Sequence, residues 1–185
     1  AYMKKSICHW LLYRWFGFKE TPYKPWPKKC VIALAPHTSN WDFIIGVLFM
    51  WSHREQCNFL MKKEWFFWPM GIFMRHVGGI PVYREKNRSM TDQLAERAKE
   101  MEQFHLCITP EGTRRATTEW KKGFFYIAQK AGIPILVYGL DFSRKLIIDG
   151  EWIYPTAETD ADETLDRMKQ FYKDMKGKKP EKFAI

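Results

Sequence analysis

No uninterrupted apolar run in the sequence reaches the roughly 20 residues that a membrane-spanning helix needs. The 185-residue chain is therefore expected to be soluble or to lie on a membrane, and not to cross one. No signal-peptide pattern opens it at Ala1. Cysteine is scarce, with four residues at positions 8, 30, 57 and 107, and no pair has C-x-x-C spacing. Cys30 and Cys107 lie in apolar runs, so buried free thiols in a reducing compartment are expected rather than disulfides. No His/Cys spacing offers a metal site. Repeats and low-complexity tracts are absent. No recognised nucleic-acid motif appears and the lysines are dispersed, so a nucleic-acid partner is not expected.

Aromatic residues are abundant by contrast. They make up 17% of the chain, with Trp 9 and Phe 14, more than the core of one domain needs. Some of these rings should sit at the surface, where amphipathic rings favour a membrane interface. Lys+Arg number 30 against Asp+Glu 21, a net charge of +9, which suits an anionic partner. Length and the 46% hydrophobic content allow one well-buried domain.

Residues 6–18, "SICHWLLYRWFGF", are apolar nearly all round at helical spacing. They suit either a helix packed on the domain or a segment half sunk in a bilayer with Lys4, Lys5 and Lys19 at the headgroups. The three prolines of "TPYKPWPKK" (21–29) mark an extended linker. The chain is thus expected to divide into an aromatic, basic N-terminal segment with its linker (1–29), a candidate membrane-interface segment, and one α/β domain (30–185). In the latter, strands are expected at 30–35, 57–62, 78–83, 106–109, 133–140 and 145–149. Helices are expected at 41–52, from Ser89 to Met101 with a capping-box start, from Trp120 to Ala131 with Gly132 as terminator, and from Leu165 to Met175. "WFFWPMGIFM" (65–74) reads as too broken by Pro69 and Gly71 for a regular element. This alternation predicts an α/β fold: one domain with a mostly parallel central sheet flanked by helices, plus a short aromatic N-terminal helix.

Four stretches carry chemistry. In "LAPHTSNWDF" (34–43), Pro36 blunts a strand, and Ser39 or Asn40 suits a helix N-cap. Residues five apart on one helix lie about 140° apart. His37 and Asp42 therefore meet only if His37 is in the loop and Asp42 is in the first helical turn. Asp42 would then accept a hydrogen bond from one ring nitrogen and leave the other free as a base. In "ITPEGTRR" (108–115), Glu111, Gly112, Thr113 and Arg114 follow a strand, where α/β folds place ligands. Gly112 permits close backbone approach, and Arg114 offers a bidentate grip on phosphate. "GGIPVYR" (78–84) ends in Arg84, and "AGIPILVYGL" (131–140) carries Pro134 early in a strand.

In this order and spacing, the four stretches resemble the motifs of the glycerolipid acyltransferase superfamily, the lysophosphatidate acyltransferase-like proteins. His37 and Asp42 match H-x₄-D, Gly79 to Arg84 the second motif, Glu111 to Arg114 the E-G-T-R motif, and Pro134 the fourth. Lys62 and Glu64 match a further K-x-E pattern, and the Pro69-led "PMG" stands where the family shows P-x-x-G, one residue shorter. Pro81 and Tyr83 depart from the family's second motif. The resemblance covers about residues 30–140. It implies transfer of a fatty acyl group from a thioester to the hydroxyl of a lysophospholipid, most simply 1-acylglycerol-3-phosphate, in phospholipid biosynthesis. The alternatives are a lyso-aminolipid acceptor without phosphate or a non-catalytic membrane-binding module. In the implied mechanism His37 is the base and Asp42 orients it. Arg84, Arg114 and Lys62 hold the acceptor phosphate, and Glu111 orders the arginines or the glycerol. No cofactor or metal is implied. The donor is an acyl-coenzyme A or acyl carrier protein thioester, and the enzyme is expected on the inner, cytoplasmic face of an anionic membrane.

Overall fold

The protein is described by a computed structural model in which residues 2–82 and 89–185 are placed, residues 2–4, 62 and 82 by main chain alone. Its centre is strand β2 (Lys29–Ala35). Successive side chains of a strand point to opposite faces. Val31, Ala33 and Ala35 accordingly enter one hydrophobic core, while Cys30 and Ile32 enter another. This is why "CVIALA" is apolar without alternation.

Among the described residues seven strands form one sheet in the order β1-β7-β6-β2-β5-β3-β4. The flanking strands are β1 (Lys19–Glu20), β3 (Asn58–Lys62), β4 (Gly79–Val82), β5 (Phe104–Ile108), β6 (Ile135–Asp141) and β7 (Leu146–Ile153). Strands β6, β2, β5, β3 and β4 run parallel, with Ile32 opposite Cys107 and Leu136. Their carboxyl ends therefore share one edge. Strand β7 is antiparallel to β6, and β1 is parallel to β7.

Helices cover both faces. On one side lie α4 (Met90–Glu100), α5 (Gly123–Ala131) and α6 (Ala161–Tyr172), which bury Leu94, Phe124, Met168 and Tyr172. Fully burying such a side chain contributes about 1.5–3 kcal/mol. On the other side α2 (Asn40–Ser52) buries Ile45 and Phe49 together with Leu12 and Phe18 of the N-terminal segment. That segment forms α1 (Tyr2–His9) and continues as a π-helical stretch, Trp10–Trp15. Leu12 is sealed inside, while Trp10 and Trp15 are 52% and 69% exposed.

Several expectations need correction. The 65–74 stretch does contain a helix, α3 (Met70–His76). Pro69 stands at its N-cap, and a Cβ on Gly71 would lie 2.6 Å from the Phe66 carbonyl oxygen. Glycine there permits a tight entry into the helix and does not break it. Ser89 does precede α4, but its side chain makes no capping bond. Trp120 precedes α5 by three residues, although its ring reaches the same core. Gly132 does end α5, at φ 67°. Pro134 lies just before β6, which is an interior strand, and its carbonyl accepts from Val31 N at 2.9 Å. The last helix ends at Tyr172, before Met175. All four cysteines are free thiols, as expected.

Candidate functional site

His37 leaves the carboxyl end of β2 in a three-residue loop, Pro36 to Thr38, and Ser39 caps α2. The local sequence explains the turn. Ser39 Oγ accepts from Trp41 N at 3.1 Å, and Asp42 Oδ2 accepts from Ser39 N at 2.8 Å, a reciprocal cap that satisfies amides of the helix start. Asp42 is 1% exposed. Its Oδ2 also accepts from Thr38 N at 2.7 Å, and its Oδ1 from Ser39 Oγ at 3.2 Å.

The expected His37–Asp42 hydrogen bond is present only as a close approach. Nδ1 lies 3.3 Å from Asp42 Oδ2, but the two are not aligned as donor and acceptor. Two main-chain amides already occupy that oxygen, so the contact is electrostatic. On the opposite side of the ring, Arg114 Nε donates to Nε2 at 3.4 Å. A donor there makes Nε2 the acceptor, and the pattern of partners assigns the ring proton to Nδ1, facing Asp42. The side chain is 19% exposed, so Nε2 presents its lone pair at the edge where the parallel strands end.

The E-G-T-R stretch follows β5, the neighbour of β2, and so reaches the same edge. Glu111, expected to order the arginines or the glycerol, makes no ion pair with Arg114. It is 4% exposed, and its Oε1 accepts from His37 N at 2.7 Å, tying the third motif to the first. Burial pushes its carboxyl above the usual range, against the opposing effect of that hydrogen bond. Gly112 adopts φ +63°, and a Cβ there would also lie 3.2 Å from Lys121 Cγ. Thr113 Oγ1 accepts from Arg115 N at 3.2 Å. Arg114 is exposed and has no carboxylate partner among the described residues. Lys62 closes β3 at that edge. Arg84 lies outside the described residues. Sequence reasoning missed Thr38 as a contributor to the site. Its hydroxyl accepts from Lys179 N at 3.2 Å, a partner 141 residues away that no local pattern announces.

The aromatic surface adjoins the site. Trp41, next to Asp42, is 43% exposed and meets Phe16 with ring centroids 5.8 Å apart. Phe67, Trp68, Ile72 and Phe73, beyond the end of β3, are all exposed, Trp68 by 82%. Among the described residues no helix is long and apolar enough to cross a membrane.

A histidine with a buried carboxylate beside Nδ1 and an exposed arginine at Nε2, placed at the carboxyl edge of the parallel strands, is an arrangement that can pass a proton next to an anionic group. The Acyltransferase family matches residues 19–140, and the chain belongs to that family. It is 33% identical over 118 residues to the 1-acyl-sn-glycerol-3-phosphate acyltransferase of Saccharomyces cerevisiae, covering 59% of this chain and 38% of that protein. It is 30% identical over 116 residues to the human 1-acyl-sn-glycerol-3-phosphate acyltransferase beta, covering 59% and 40%. The aligned part thus spans about two fifths of these relatives' length. The crystal structure of the 1-acyl-sn-glycerophosphate acyltransferase PlsC from Thermotoga maritima shares the fold, with a TM-score of 0.62 at 14% identity over 96% of this chain and 81% of that one.

Proposed function

We propose that the protein transfers a fatty acyl group from a thioester donor to the free hydroxyl of 1-acylglycerol-3-phosphate, making phosphatidic acid. The observation that carries this reading is the arrangement around His37, with Nδ1 facing Asp42 and Nε2 facing Arg114. Nε2 takes the hydroxyl proton as the acceptor oxygen attacks the thioester carbon. The C–S bond breaks, and the proton passes from His37 to the departing thiolate. Asp42 steadies the imidazolium at the electrostatic distance described, and Arg114 takes the acceptor phosphate. Ser39 is committed to capping and to Asp42, which favours direct transfer over a serine-bound intermediate. Lys62 and Arg84 assist with the phosphate, and no cofactor takes part.

The names of the relatives support this choice of acceptor. The donor is a thioester of coenzyme A or of acyl carrier protein. The exposed aromatics and the +9 charge support a peripheral position on the inner face of an anionic membrane. The test is an acyl-transfer assay with lyso-acceptors against both donors, read by mass spectrometry. Phosphatidic acid should form fastest. Faster acylation of a lyso-aminolipid without phosphate, or no transfer from either donor, overturns the reading.

A further inference from the structure

The segment after α6 belongs to no motif of the site, yet it returns to the loop that carries His37. Met175 packs against Gly139 of β6, and Lys176 O accepts from Phe142 N at 2.9 Å. Three residues on, Lys179 N donates to Thr38 Oγ1 at 3.2 Å. Between them stands Gly177, which is buried. A Cβ built on Gly177 would lie 2.5 Å from both Thr38 Oγ1 and Thr38 Cγ2, and 3.1 Å from Thr38 Cβ. Gly177 does not adopt a positive φ, so glycine is required there for room and not for backbone freedom. Thr38 has nowhere to retreat. It is 1% exposed, β-branched, and held at its amide by Asp42 Oδ2 at 2.7 Å.

We infer that Gly177 is a positioning residue for acyl transfer: the C-terminal segment presses on Thr38, and Thr38 sets where Asp42 stands against His37. This rests on the reading of His37 as base. The contact between Nδ1 and Asp42 is already loose at 3.3 Å, so a shift of a few tenths of an ångström in the loop changes it. Misplacement of about 1 Å far from the chemistry can cost 10²-fold in rate.

The experiment compares Gly177→Ala, Thr38→Ala, the double variant and His37→Ala in the full chain. Each is assayed for acyl transfer to 1-acylglycerol-3-phosphate with thermal unfolding alongside. Gly177→Ala should lower kcat about tenfold or more, with both KM values within about threefold of wild type, since position and not binding is disturbed. Removing the Thr38 hydroxyl and methyl relieves the clash but also deletes the acceptor for Lys179, so Thr38→Ala alone should lose severalfold in kcat and the double variant should rise from the Gly177→Ala level to that of Thr38→Ala. A folded Gly177→Ala with wild-type kcat overturns the inference, as does a double variant no more active than Gly177→Ala alone. If Gly177→Ala does not fold, Thr38→Val decides. It keeps the shape and deletes only the acceptor for Lys179, so kcat should fall severalfold at unchanged KM, and a wild-type kcat overturns the inference. His37→Ala separates this from the base: if it stays active, the reading beneath has failed, whatever Gly177 does.

Discussion

Helix α2 carries a histidine–carboxylate pair at each end, and the two pairs do different things. At its start, His37 faces Asp42 across 3.3 Å, and among the described residues its other nitrogen meets only an exposed arginine. At its end, His53 is the C-cap, and its Nε2 lies 3.0 Å from Glu20 Oε2. The Tyr13 hydroxyl, itself bonded to Glu20, stands 3.3 Å from the same nitrogen, and Tyr23 stacks on the ring at 3.7 Å. Exposure does not separate the pairs, at 19% for His37 and 16% for His53. What separates them is which atoms are spent. Asp42 is committed to main-chain amides and leaves its histidine unlocked, whereas Glu20 is committed to its histidine and locks it. Glu20 is partly buried, which alone would raise its carboxyl, but the bonds from His53 and Tyr13 outweigh this and hold it below the usual range. On the proposed reading the unlocked pair passes the proton, while the locked one fastens the N-terminal segment to the domain.

Exchanging each histidine for alanine should break this comparison most visibly. His37→Ala should fold with a near wild-type melting temperature and lose at least ~10²-fold in acyl transfer. His53→Ala should retain catalysis and melt lower, by on the order of 5 °C for a lost charge-assisted bond in a chain of this size. The reverse pattern would mean that the functions of the two ends are misassigned.

Arg114→Ala should weaken acceptor use by about ten- to a hundredfold in kcat/KM, with the donor dependence unchanged, because a charge-assisted bond contributes roughly 1.5–3 kcal/mol. Lysine should rescue in part, lacking the planar fork. An equal loss with an acceptor lacking phosphate would point to the fold or the donor.

Membrane binding needs a gentler probe than deleting residues 1–20. Such a deletion would remove the buried Leu12 and Phe18 and the Glu20 fastening. Trp10→Ser with Trp15→Ser alters exposed rings only. Binding to anionic vesicles should fall severalfold while activity on a short-chain, soluble acceptor holds. Unchanged sedimentation with vesicles would leave those rings without that role.

The smallest effect expected is at Glu111. Its carboxyl is raised by burial, so its contribution to stability is full below the ordinary carboxylate range and is lost as pH rises through the raised value. Glu111→Gln keeps an acceptor for His37 N and removes the charge. Its melting temperature should exceed wild type's at neutral pH by about 2–4 °C. The two curves should converge as the pH falls into the usual carboxylate range. A gap that is constant with pH would show that the charge is not what differs.

The sequence made β2, the loop, and the start of α2 legible because their determinants are local: an apolar run, a proline, a serine cap and a carboxylate three residues later. The parallel sheet followed from alternation. Strand β1 was not legible, since two residues carry no period and it exists only through pairing with β7. Helix α3 was hidden by Gly71, whose tight fit against Phe66 appears only in three dimensions. The bond from the His37 amide to Glu111 could not be read from the sequence, because the two residues are 74 apart. Long-range contacts to the main chain leave no mark in residue identity.

Because β2 is paired on both edges and buried on both faces, its amides should be the slowest in the molecule to exchange with deuterium, and those of the edge strand β4 among the fastest. The loop holding His37 is thus hung from the last part of the protein to open. Breathing at the sheet's rim, where β4 and the end of β3 lie, should leave His37 in place, so on the proposed reading any help that Lys62 gives the acceptor should be lost before the proton transfer.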